Sequence, residues 1–135
     1  MLLQTYVTFD GTCREALEFY RRELGAEIVM VSPYSDLPKD APMQVGLEHA
    51  DRVLHARFLL GGQVIMASDS FPGQPVNHSG FSLSLNLEDK TAAETVFDAL
   101  SNGGQVTMPL AKTFWAELFG VCTDKFGISW MVNVD

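Results

Sequence analysis

Cysteine is scarce in this chain. There are two in 135 residues, Cys13 and Cys122, with no Cys-x-x-Cys pair. That excludes a disulfide framework and a thiolate zinc knuckle, and it fits a reducing cytosol with both thiols acting as small buried hydrophobes. Positive charge is scarce too. Nine Lys and Arg stand against 17 Asp and Glu, a net charge of −8. Nucleic-acid binders present basic patches, so no nucleic-acid partner is expected. No apolar run approaches the roughly 20 residues that cross a bilayer, so no membrane partner is expected either. The start, Met1-Leu-Leu-Gln-Thr-Tyr6, has no basic flank and no signal-type apolar core. The expected location is therefore cytoplasmic. No Ser-His-Asp or Cys-His constellation is legible. Gly61-Gly62 falls between two strand patterns, not before a helix, so it reads as a hairpin turn. A dinucleotide or S-adenosylmethionine fingerprint of the Gly-rich strand-to-helix type is absent. What the chain does have is 47% hydrophobic residues against 19% charged, enough for one packed domain.

The remaining pattern is a weak internal repeat. Residues 3–9 alternate, with Leu3, Thr5, Val7 and Phe9 on one face and Gln4, Tyr6 and Thr8 on the other, which predicts a half-buried strand. Thr12-x-x-Glu15 has the form of a capping box. Cys13, Ala16, Leu17, Tyr20 and Leu24 follow at helical spacing, and Gly25 stops the helix. Strands are predicted over 27–31, 53–60 and 63–68. The second half repeats this order, with a strand over 81–87, a box at Thr91-x-x-Glu94, a stripe of Ala92, Val96, Ala99 and Leu100, and strands over 105–110, 116–123 and 128–134. Each half reads βαβββ, with module 1 at 1–69, a linker at 70–79 and module 2 at 80–135. Residues 32–47, with Pro33, Pro38 and Pro42, form a loop long enough to cover something.

The strings FDGTCREALEFYRRELGAEI and TFWAELFGVCTDKFGISWMVN, on a duplicated βαβββ frame, resemble the PhnB-like branch of the vicinal oxygen chelate superfamily. That superfamily includes glyoxalase I, bleomycin-resistance proteins, fosfomycin-resistance enzymes and extradiol dioxygenases. The resemblance implies an α+β fold in which two βαβββ modules form a curved mixed sheet around a pocket. It also implies a homodimer, often completed by modules from different chains.

The resemblance further implies four metal-ligand positions on the first and last strands of the two modules. They fall on Gln4, Met66, Ser82 (Phe81 if the register slips by one) and Met131. Zinc takes His, Cys or carboxylate, and magnesium or manganese takes charged oxygen ligands. Two thioethers, an amide and a hydroxyl supply none of that charge. A soft ion such as Cu(I) could use Met66 and Met131, but strand methionines more often line cores and pockets. The expectation is no metal and no cofactor. Gln4, Tyr6, Met66, Ser68, Ser82, Ser84, Met131 and Asn133 are expected to face a ligand pocket, joined by His55 and Arg57. Val7, Phe9, Ile65, Leu83, Leu85, Trp130 and Val132 are expected in the core. Phe114 and Trp115, at a loop-to-strand junction, are candidates for the pocket mouth or a dimer seam. Asp124 reads as a turn former, and Asp69 as a loop cap or a partner for a ligand cation. His49 and His78 fall in loops.

Three functions follow from this reading. One is metal-independent binding of a small molecule. The second is a glyoxalase- or lyase-type enzyme with His55 as acid or base, or with an atypically placed metal. The third is a non-catalytic dimeric scaffold whose own side chains fill the pocket. Fold alone does not rank them.

Overall fold

A computed structural model describes all residues, Met1–Asp135. The chain forms two compact units, Met1–Val76 and Asn77–Asp135. In the first, β1 (Thr5–Phe9), α1 (Cys13–Leu24), β2 (Glu27–Pro33), β3 (Val53–Leu60) and β4 (Gln63–Asp69) build a four-stranded sheet in the order β1-β4-β3-β2. In the second, β5 (Leu83–Leu87), α2 (Lys90–Ser101), β6 (Gln105–Ala111), β7 (Leu118–Thr123) and β8 (Ser129–Val134) repeat the topology in the order β5-β8-β7-β6. The first strand of each unit runs parallel to the last, and the other pairings are antiparallel. The modules therefore make two four-stranded sheets and not one continuous one.

Each sheet has one face under its own helix. In the first unit Val7, Phe9, Ala56, Phe58, Ile65 and Ala67 pack with Cys13, Ala16, Leu17 and Tyr20 of α1, all buried. The rings of Tyr20 and Phe58 stack at 5.9 Å. Burying each large side chain contributes about 1.5–3 kcal/mol, so this layer is what holds helix to sheet. In the second unit Ala93, Phe97 and Leu100 of α2 are the buried positions, and Trp130, Val132 and Cys122 lie beneath. The apolar stripe of α2 thus centres on Ala93 and Phe97, while Ala92, Val96 and Ala99 flank it half-buried. A Cβ on Gly120 would lie 2.9 Å from the Phe97 ring, so this glycine lets α2 sit close on β7.

Helix α1 ends as its sequence says. Gly25 adopts φ 73°, and the Gly25 and Ala26 amides donate to the carbonyls of Arg21 and Tyr20. Helix α1 begins at its predicted box but without the box's cap bond, and α2 begins two residues ahead of its own. Thr12 has φ −108° and ψ 9°, outside the extended backbone that a capping side chain needs, and it makes no cap bond. Asp69, from the end of β4, takes that role: one carboxylate oxygen accepts from the Cys13 amide at 2.9 Å, the other from the Val53 amide at 2.8 Å. For α2 the cap is Asp89, extended at φ −137°, which accepts from the Ala92 amide at 2.7 Å. Four strands start later than the alternation suggests. β1 begins at Thr5, leaving Leu3 95% exposed, β5 begins at Leu83, leaving Phe81 47% exposed, β7 begins at Leu118 and β8 at Ser129. Alternation persists past the point where a neighbouring strand is present to pair.

The loop after β2 is anchored, not free. Tyr34 is buried, its hydroxyl donates to the Asp69 carbonyl at 3.1 Å, and its amide donates to the Arg52 carbonyl at 2.8 Å.

Candidate functional site

The face of each sheet turned away from its helix carries the candidate residues. In the first unit a single cross-strand row runs Tyr6, Met66, Arg57, Met30, since Tyr6 pairs with Met66, Met66 with Arg57 and Arg57 with Met30. The next row on this face holds Thr8 paired with Ser68, and His55 paired with Ser32. Tyr6 is 48% exposed, and its ring lies 5.9 Å from that of His55, tilted by 37°. His55 is half-buried, Arg57 exposed and Ser68 buried. Gln4 lies one residue ahead of β1 and is exposed.

In the second unit the open face reads Ser84, Met131, Val121, Met108 in one row and Asn86, Asn133, Phe119, Ala111 in the next. Neither row contains a charge. Ser82 is tied to Ser129, hydroxyl to hydroxyl at 2.7 Å. The Asn133 amide donates to Asp135 at 2.9 Å. Trp115 lies off the sheet, ahead of β7 and 52% exposed, with its ring edge-on to Phe119 at 5.4 Å and to Phe114 at 4.7 Å. Both aromatics line a shallow cleft of about 230 Å³ that runs from Lys112 to Glu117 and ends at Asp135. That volume is below the range of about 300–1,000 Å³ usual for drug-sized ligands.

Sequence reasoning missed Met30, Ser32, Val121, Phe119 and Met108 on these faces. Bulges hide two of them. A register shift between Ile28 and Met30 leaves Ile28 opposite the core residue Phe58 while Met30 falls opposite Arg57. A second shift precedes Met108. Simple alternation cannot place a side chain beyond a bulge.

The four residues expected at metal-ligand positions, Gln4, Met66, Ser82 and Met131, do not fit a hard divalent ion. Met66 is a direct row neighbour of the Arg57 guanidinium, which repels a cation. Ser82 already shares a hydrogen bond with Ser129. Within neither unit do three or more His, Cys, Asp or Glu side chains gather in ligating geometry. Asp69 is not a partner for a ligand cation: it is 2% exposed and both its oxygens hold backbone amides. Asp124 does more than form a turn. It is 2% exposed, one oxygen accepts from the Phe126 and Ile128 amides, and the other accepts from the Trp130 indole at 2.9 Å. The thiols are no nucleophiles. Burial, with the Asp69 charge adding to it, pushes Cys13 up to about 12, and burial with Asp124 pushes Cys122 up to about 11.

Two βαβββ units, each a mixed sheet with a helix on one face and the other face open, define the vicinal oxygen chelate fold, the architecture of glyoxalase-related and fosfomycin-resistance proteins. The chain belongs to the 3-demethylubiquinone-9 3-methyltransferase family, the PhnB-like branch of that superfamily, whose model matches residues 2–133. It is 36% identical to protein YjdN of Escherichia coli K12, over 99% of this chain and 95% of that one. The crystal structure of PA1353 from Pseudomonas aeruginosa superposes with a TM-score of 0.84 at 42% identity, covering 99% of this chain and 98% of that one. A PhnB protein from Bacillus cereus gives a TM-score of 0.83 at 29% identity, with both chains fully covered. The family's name speaks of methyl transfer. The Gly61-Gly62 pair is no cofactor loop: it closes the β3–β4 hairpin, with φ of 57° at Gly61 and 78° at Gly62.

Proposed function

We propose that this chain binds a small organic molecule at the open face of a sheet, without a divalent metal, and that it works as a homodimer. The observation that carries this reading is the makeup of the open faces. Thioethers (Met30, Met66, Met108, Met131) alternate with hydroxyls and amides (Ser68, Ser84, Asn86, Asn133), which suits shape-adaptive binding with a few fixed polar contacts. Gln4, Tyr6, His55, Arg57, Ser82 and Trp115 complete the proposed ligand-contacting set. Native mass spectrometry with elemental analysis, on protein purified without chelator, tests it. The expected result is a dimer mass, a retained organic adduct and no stoichiometric metal. One divalent ion per site would overturn the metal-free reading.

A second reading rests on His55. Its half-buried ring on the open face, beside the Tyr6 ring, makes no hydrogen bond or ion pair within the chain. An imidazole so placed is available for proton transfer in a glyoxalase- or lyase-type reaction. If His55→Ala leaves turnover of every accepted substrate unchanged, this reading is abandoned.

A further inference from the structure

Resting on the ligand-binding reading above, we propose that the ligand is a small organic anion with a flat apolar body, its charged group held by Arg57. Arg57 lies on β3, an interior strand, on the face without a helix. Its row neighbours are Met66 on one side and Met30 on the other, with Tyr6 one strand further. Neither thioether can neutralise a guanidinium.

The chain has nearly twice as many acidic as basic side chains, 17 against nine, so carboxylates are in ready supply. The other arginines are all engaged. Arg21 pairs with Glu18, Arg22 with Glu23 and Arg52 with Asp10, and Arg14 donates to the Asp51 carbonyl. Arg57 makes no ion pair and no hydrogen bond. Glu27, the acidic residue that the register brings to the same face opposite Leu59, lies beyond the bulge and does not pair with it. A planar fork of donors thus stands open beside thioethers, hydroxyls and one imidazole, with Glu27 and Leu59 further along the same face. A carboxylate or phosphoryl group offers the matching pair of acceptors.

The surroundings assign the rest of the ligand. Tyr6 presents a half-exposed ring one strand beyond Met66, and His55 lies 5.9 Å from that ring. Sulfur edges and aromatic faces favour a flat apolar body.

Carboxylate and phosphoryl heads share this chemistry, and matched probes separate them. The full-length protein is titrated with benzoate, phenyl phosphate and the neutral benzamide, followed by nitrogen–proton and methionine-methyl NMR. Expected are shifts at the Arg57 side chain and at the Met30 and Met66 methyls. At least one anion should bind about tenfold or more tightly than benzamide, and Arg57→Gln should erase that preference. Whichever anion shows it names the head group. Arg57→Lys, which keeps the charge but loses the fork, should retain only part of it. Benzamide binding as tightly as both anions, or a preference that survives Arg57→Gln, overturns the anion proposal and leaves small-molecule binding standing. Perturbation by none of the three probes at concentrations of about 10 mM overturns both. If Arg57→Gln dissociates a dimer while anion binding persists, the guanidinium serves a second copy of the chain and the proposal falls.

Discussion

Asp124 is the residue whose replacement should be felt most. Its carboxylate is 2% exposed and receives three N–H groups: Phe126 at 2.9 Å and Ile128 at 3.0 Å on Oδ1, and the Trp130 indole at 2.9 Å on Oδ2. Asparagine can keep the two backbone bonds through its one oxygen. Its amide nitrogen then faces the indole N–H, donor against donor. A buried hydrogen bond to a charged acceptor contributes about 1.5–3 kcal/mol, so Asp124→Asn should cost about 2 kcal/mol. Asp124→Ala strips all three donors and should cost about 3–5 kcal/mol, a large part of a stability of about 5–15 kcal/mol. Urea unfolding at one fixed protein concentration is the assay, because self-association would otherwise move the midpoint. A double-mutant cycle isolates the indole bond. With Trp130→Phe no donor remains to oppose, so Asp124→Asn should cost about 1 kcal/mol less there than in the parent. A cost below about 0.5 kcal/mol for Asp124→Asn, or no coupling to Trp130, would refute the assigned geometry.

Two further outcomes follow from buried groups. Cys13 and Cys122 have thiols raised from 9.0 to about 12 and about 11 by burial, so the folded state holds its protons where the unfolded chain releases them. Their stabilising contribution is fully present below pH 9.0 and is lost as pH rises toward 11 and 12, at up to about 1.4 kcal/mol per pH unit for each thiol. Urea midpoints measured across that range should fall, and Cys122→Ala should flatten the fall; a flat parent profile would contradict the burial. Separately, a Cβ on Gly104 would run into the Thr123 carbonyl oxygen and come within 3.0 Å of Asp124 Cα, all rigid backbone. Gly104→Ala should therefore cost about 2 kcal/mol or more in thermal melting, and a neutral result would show that this approach is looser than drawn.

Element order was legible because alternation and helical spacing are local signals. β3 falls at Val53–Leu60 as predicted, and β4 extends by one residue, to Asp69. The caps were not legible, for a physical reason. Asp69 lies 56 residues from the amide it caps, and no local box announces a carboxylate that arrives from another strand. Thr12 has the right chemistry at the right spacing, but its backbone lies outside the capping conformation, and Asp69 holds the Cys13 amide instead. A sequence window reads donors and acceptors, and it cannot see which acceptor the sheet delivers first.

The same limit applies to the open faces, where it bears on function. Tyr6, Arg57 and Met66 could each be assigned a face from alternation, and the register brings them into one row. That Met30 completes the row depends on the bulge after Ile28, which no residue in Glu27–Pro33 signals. Without the bulge, a regular antiparallel register would put Val29 opposite Arg57, and Met30 would turn to the helix side. The bulge therefore sets a second thioether beside the guanidinium, where regular pairing would have set a stiff branched side chain. A one-residue irregularity thus shapes the surroundings of the one arginine that the chain leaves unpaired. Changes near Val29 should accordingly alter what the open face accepts while leaving the Phe58 core, on the other face, in place.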